Sequence, residues 1–153
     1  IMTNSLGVSQ HLIAGTITTG GLWATELKVP SINLGVWNSW TPVFTGFSVS
    51  PTVTARFVVI GKTCIATVST SVTGTSNTTT FTMTLPIVAI SAVRTINLVG
   101  FTVDNGATGT TPPRVDTRTG STAVADVYLN SSGAAWTGSG NKYADFSVVY
   151  ETL

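Results

Sequence analysis

Apolar residues recur at two different periods along this chain. From Trp40 onward the period is two. In TTTFTMTLP, Phe81, Met83 and Leu85 point one way and Thr80, Thr82 and Thr84 the other, the mark of a half-buried strand. In KTCIATVSTSV, Cys64, Ala66, Val68 and Val72 share one parity, with Thr70 as the polar exception. STAVADVYLN alternates Ala123, Ala125, Val127 and Leu129 with Asp126 and Tyr128, and ADFSVVYETL puts Phe146, Val148 and Tyr150 on one face. WTPVFTGFSV and TVTARFVVIG are strand-length runs broken at Pro51, and RTINLVGFTV, nearly continuous in apolar character, predicts a more central strand. Clusters of Gly, Asn, Ser and Pro at 73–77, 104–113 and 130–141 punctuate these runs. Gly61-Lys62 predicts a hairpin turn with positive φ at the glycine, and Pro42 and Pro51 belong at strand starts or edges. Roughly seven short strands punctuated this way predict an all-β fold, an antiparallel β-sandwich of jelly-roll type, over residues 39–153. PIVAISAVR at 86–94 stays open between one or two helical turns and another strand.

Before Trp40 the beat is five. Leu12, Ile17, Leu22, Leu27, Ile32 and Trp37 are each large and apolar, a spacing that matches neither a helix nor a strand. Most five-residue units open on a small or turn-prone residue: Gly15, Gly20, Thr25, Pro30, Gly35. One such segment buries too little to stabilise itself, but several identical chains wound together would turn the beat into a continuous axial core. Residues 1–38 are therefore expected to form a trimerising, intertwined β stalk. The competing reading is two ordinary strands, HLIAGTIT and LWATELKV, joined at Gly20-Gly21.

Composition sharpens this picture. Charged residues make up 8% of the 153, against about 25% in an ordinary soluble domain, while hydrophobic residues reach 42%. Such a surface suits an extracellular protein or one that buries much of itself in an oligomer; a Thr-rich all-β domain with a quiet surface is the plain alternative. The net charge of +1 comes with no basic stripe, which argues against nucleic acid as a partner. No apolar run is long enough to span a membrane, and IMTNSLGVSQ lacks the regions of a signal peptide. A chain opening at Ile1 ahead of Met2 is expected to be cut from something longer. Cys64, the single cysteine, reads as a buried small hydrophobe and excludes a disulfide framework.

Several motifs fall in the order of a known group. LIAGTITTGGLWATELKVPSINLG resembles stalk segments of bacteriophage tail fibres and spikes. Trp37 to Pro86 resembles a module near the C-terminus of phage structural proteins: a W-T-P opening (Trp40-Thr41-Pro42), an R-x-x-x-I-G-K-x-C pair (Arg56 to Cys64) and a T-S-N-x-T-T-F-T-x-T-L-P strand (Thr75 to Pro86). NKYADFSVVYETL is similar to the last strand of such tips. The resemblance implies a homotrimeric, virion-borne, extracellular fibre tip that attaches to a bacterial surface glycan or protein. It hands over no binding residues, since 104–120 and 130–142 match nothing in it.

Candidate chemistry is sparse. His11 is the single histidine and lies in the stalk-like segment; no G-x-S-x-G elbow, zinc spacing, EF-hand or P-loop occurs. Asp104 and Asp116 flank one loop and could converge as a glycosidase pair, but loop acids usually make Asx turns, so no enzyme, metal or cofactor is expected. Binding is better supplied. The 104–120 loop offers Asp104, Asn105, Arg114, Asp116 and Arg118, and SSGAAWTGSGNKYAD offers Trp136, Asn141 and Tyr143, with Lys142 and Asp145 nearby. An aromatic face with amides and carboxylates around it suits a sugar ring. Trp136 reads equally as a plug over a core or an exposed platform, and Arg114 and Arg118 as simple surface partners of Asp116. Arg56 is expected to pair with Asp126 or Asp145, or to cover apolar surface with its stem. Trp23, Trp37 and Trp40 are expected at the stalk–head junction. A structural decoration module that locks the trimer without binding a receptor is the alternative function, and a polysaccharide-degrading tip a third.

Overall fold

The computed structural model describes residues 35–90, 94–117 and 123–152. The five-residue beat from Leu12 to Ile32, Trp23, His11 and Arg118 lie outside the described residues. Those described hold thirteen strands and no helix: β1 (Asn38–Ser39), β2 (Phe44–Thr45), β3 (Phe47–Val49), β4 (Val53–Ile60), β5 (Thr63–Thr70), β6 (Thr75–Ser76), β7 (Thr82–Thr84), β8 (Ile96–Asn97), β9 (Gly100–Asp104), β10 (Ala107–Thr108), β11 (Arg114–Thr117), β12 (Val124–Tyr128) and β13 (Lys142–Glu151). One sheet runs β1-β4-β5-β13-β9-β10, a second β2-β7-β12-β11-β8, and a short ribbon pairs β3 with β6. Every pairing is antiparallel.

The two larger sheets feed one core, an arrangement consistent with a β-sandwich. From the first come Ala55, Cys64, Ala66, Val68, Ala144, Phe146, Val148 and Tyr150; from the second come Met83, Val115, Ala125 and Val127. These are the positions that period-two alternation assigns inward. Gly61-Lys62 closes the β4–β5 hairpin as expected: Ile60 faces Thr63 and Gly61 takes φ 60°. Thr70, the polar exception on β5, is buried and continues the ladder by side chain. Its Oγ1 donates to the Ala144 carbonyl (3.0 Å) and accepts from the Ala144 amide (2.9 Å). Burial pushes the Cys64 thiol and the neighbouring Tyr150 phenol above their usual pKa values. The Tyr150 hydroxyl donates to the Ile87 carbonyl (2.8 Å).

Three expectations need correction, and Arg56 takes the second of its two expected roles, over an apolar surface. RTINLVGFTV is not one central strand. It breaks into β8 at the edge of one sheet and β9 in the other, and Leu98 and Val99 stand exposed between them. WTPVFTGFSV likewise breaks at Gly46 into β2 and β3. Val72 lies beyond the end of β5 and is exposed, since the strand stops at Thr70. Arg56 stacks over the Trp37 ring at 5.3 Å, while Asp145 accepts from the Thr70 amide (3.1 Å). Trp40 packs edge-on against Phe57, and the described part of 86–94 carries an isolated bridge, Ala89 to Thr152, in place of helical turns.

Candidate functional site

The loop between β12 and β13 organises the site. It leaves β12 at Tyr128, turns with the Gly133 amide donating to the Asn130 carbonyl (3.0 Å), and returns beside the sheet. The Asn130 side chain pins the turn by accepting from Ser132 Oγ (2.7 Å) and the Ala134 amide (3.0 Å). Trp136 then plunges into the core. It is 2% exposed, donates its indole N–H to the Val127 carbonyl (2.7 Å) and packs against Phe81 with ring centroids 5.5 Å apart. Of its two readings, the plug is the one realised. Its truncation would open the core, so Trp136 is no clean probe of binding.

A cleft opens on each side of this loop. The first, about 400 Å³, lies between the loop and the β9–β10 hairpin, whose turn is Asn105-Gly106 with φ 50° and 80°. Asp104, Asn105, Thr108, Thr110, Asn130 and Thr137 are among its lining residues. Asp104 is 8% exposed; its Oδ2 accepts from the Thr137 amide (2.8 Å) and hydroxyl (2.9 Å), and its Oδ1 has no hydrogen-bond partner. The second cleft, about 300 Å³, is walled by Phe81, Tyr128 and Trp136 with Thr79, Thr80 and Asp126 beside them. Phe81 and Trp136 are each 2% exposed, so Tyr128, beside Asp126 and the threonine hydroxyls, is the ring that a ligand can meet there.

No known family model, curated protein or solved structure matches this chain.

The predicted site residues divide accordingly. Asp104 and Asn105 line the first cleft and Trp136 the second. Arg114 lies over Tyr128 at 4.4 Å and against Gly133, so it buttresses the second cleft. Arg114 also bonds Asp116 (3.1 Å), whose other partner is Arg94, a residue the sequence reading passed over. Asp116 is 1% exposed, so a buried carboxylate meets two arginines that reach it from the surface, Arg94 with its side chain 48% exposed, in place of the wet surface pair expected. The bond to Asp116 holds the Arg94 guanidinium above its usual pKa. Removing Arg114 would leave the Asp116 carboxylate to Arg94 alone and uncover Tyr128, which makes Arg114, like Trp136, a structural support. Asp104 and Asp116 do not converge: they sit on different sheets with different partners. Asn141 lines neither cleft; its carbonyl accepts from the Asn105 amide (2.7 Å). Tyr143 is on the outer face of its sheet, 5.9 Å from Phe101. Thr137, Asn130, Asp126 and Tyr128 were not singled out for the site, because only the return of the loop brings them to the clefts.

Lys142, expected near the site on a loop, is 0% exposed at the start of β13. Its ammonium donates to the carbonyls of Gly46 (3.1 Å), Thr78 (2.8 Å) and Thr80 (3.0 Å) and lies near the rings of Phe47 and Trp136. It ties the β2–β3 corner and the 78–80 segment beneath the second cleft to β13. Burial lowers its pKa to about 8, and the Asp104 carboxylate acts in the opposite direction.

Proposed function

We propose that this chain is the tip of a bacteriophage tail fibre or receptor-binding protein: a virion-borne, extracellular homotrimer with a jelly-roll-like head on an intertwined stalk. It binds a bacterial surface receptor, a glycan, without catalysis. What supports this reading most is the pair of clefts flanking the Asn130–Thr137 loop, one of them bordered by Tyr128 with the Asp126 carboxylate at hand. Three weak sites on one tip would give avidity orders of magnitude above one site if they engage together.

Two measurements test it. Light scattering on a sizing column should give about three times 15.9 kDa, holding on dilution. A stable monomer removes the stalk and the avidity from the proposal. Binding of the labelled chain to whole cells and to extracted envelope polysaccharides from a bacterial panel should fall about tenfold or more in Tyr128→Ala and Asp126→Asn. Wild-type binding retained in both variants would remove the second cleft from the mechanism.

The exposed apolar run Ile96, Leu98, Val99 and Phe101, with Val149 near it across the Asn97 side-chain bonds, favours a second reading. A decoration or trimer-locking module would use such a patch against virion proteins and bind no cell.

A further inference from the structure

Asp104, which lines the first cleft, has a buried carboxylate oxygen that no described residue satisfies. Asp104 commits Oδ2 to the Thr137 amide and hydroxyl, while Oδ1, buried, has no partner among the described residues. A buried acceptor left unpaired costs about 1–3 kcal/mol, so a donor that reaches it from the cleft by a small shift of the Asp104 side chain would relieve that cost. The charge of Asp104 is already opposed within the fold. Lys142 faces it in the β9–β13 register, and the two act on each other electrostatically. The missing partner therefore needs to donate a hydrogen bond without bringing charge. A hydroxyl does this. A divalent cation would want six or more oxygens, and no cluster of three His, Cys, Asp or Glu occurs among the described residues.

The rest of the lining agrees. Asn105, Thr108, Thr110 and Asn130 carry groups that both donate and accept, as ring hydroxyls do, while Ala107 and Leu129 offer apolar contact for C–H groups. The volume, about 400 Å³, lies within the range of small-molecule sites, about 300–1,000 Å³.

We propose that this cleft is a subsite for an uncharged sugar, with a ring hydroxyl donating to Asp104 Oδ1. The proposal rests on the glycan-attachment reading and adds to it the location and the class: neutral hexoses and N-acetylhexosamines, in preference to amino sugars and uronic acids.

The test is an amide-resolved NMR titration of the full chain with glucose, galactose, mannose, N-acetylglucosamine, glucosamine and glucuronate. At least one neutral sugar should shift the amides of Asn105, Thr108, Asn130 and Thr137, and glucosamine and glucuronate should shift them less. Asp104→Asn preserves the size of the side chain and an acceptor for Thr137; it should weaken the neutral sugar about tenfold or more. Thr108→Val, on an exposed edge, should weaken it less and guards against a folding defect in the first variant. The proposal fails if no neutral sugar shifts these amides, if the charged sugars shift them equally, or if Asp104→Asn binds like wild type. Because the titration uses free monosaccharides, it is separate from cell binding. Cell attachment with a silent cleft would sink this subsite and leave the attachment role, and a responsive cleft without cell attachment would do the reverse.

Discussion

Gly100→Ala should severely destabilise the head, although Gly100 is exposed and a surface glycine commonly tolerates alanine. Gly100 starts β9 opposite Phe146 with φ 137°, a region that L side chains rarely adopt. An added Cβ would overlap the Asp145 carbonyl oxygen and come within 2.8 Å of Phe146 Cα. Both atoms belong to the backbone of β13, the strand that joins β5 to β9. Neither can move without breaking the sheet. Strain of about 1–3 kcal/mol adds to the steric overlap, for a total of at least ~3–5 kcal/mol. That is a large share of the roughly 5–15 kcal/mol a domain has. Gly106→Ala is the control. Gly106 also has positive φ, but its added Cβ meets nothing within 4 Å, so the cost should stay near 1 kcal/mol. Urea unfolding followed by circular dichroism reads both. A Gly100→Ala midpoint equal to wild type would contradict this account of the β9–β13 junction.

Lys142→Met should be the second large effect, and it carries a pH signature. The variant keeps the apolar stem but leaves three carbonyls without the ammonium, and it takes from Asp104 its opposing charge. Gly46 retains a donor, the Asn77 amide (3.3 Å), whereas the single Ser76 hydroxyl proton near the Thr78 carbonyl (3.1 Å) is claimed by the closer Thr137 carbonyl (2.6 Å), so the loss centres on Thr78, Thr80 and Asp104. A cost of about 2–4 kcal/mol at neutral pH follows. In wild type the folded pKa of about 8 lies below the unfolded 10.5. Between those values the unfolded chain binds more protons, so this lysine makes stability rise with pH, by about 3 kcal/mol in all. The contribution is complete above 10.5 and is lost as pH falls through 8. Cys64 and Tyr150, both raised by burial, act oppositely: their contributions shrink as pH climbs past 9.0 and 10.0. The readout is therefore the difference between wild type and Lys142→Met across pH 7 to 10. A difference that stays flat would mean the amine titrates alike in both states.

Much of the head was legible because strand alternation is local. The faces of β5, β7, β12 and β13 follow from residues two apart, and the Gly61-Lys62 turn from the glycine. The same parity carried a signal that went unread: Lys142 stands in phase with Ala144, Phe146 and Val148, and a lysine in that phase must find acceptors inside. Asn105-Gly106 was legible as a turn but not as the lip of a cleft. The two-residue strands β1, β2, β6, β8 and β10 were beyond reading, since two residues show no period and are strands only because a neighbour pairs with them.

The candidate site divides along the same line. Sequence alone singled out the stretches 104–120 and 130–142 by their Gly, Asn and Ser content, but the first is not one long loop: Asp104 ends β9, Asn105-Gly106 turns into β10, and Arg114 and Asp116 stand on β11. Sequence also supplied the low charge and the inward-facing residues of the core. Tertiary structure decided the rest. It sank Trp136 into the core, drew Arg94 from a distant segment onto Asp116, turned Tyr143 to the opposite face, and set Thr79, Thr80, Asp126 and Tyr128 around one cleft. Alternation is a property of neighbours along the chain, whereas a cleft is made by segments far apart in sequence that meet only once both sheets have packed.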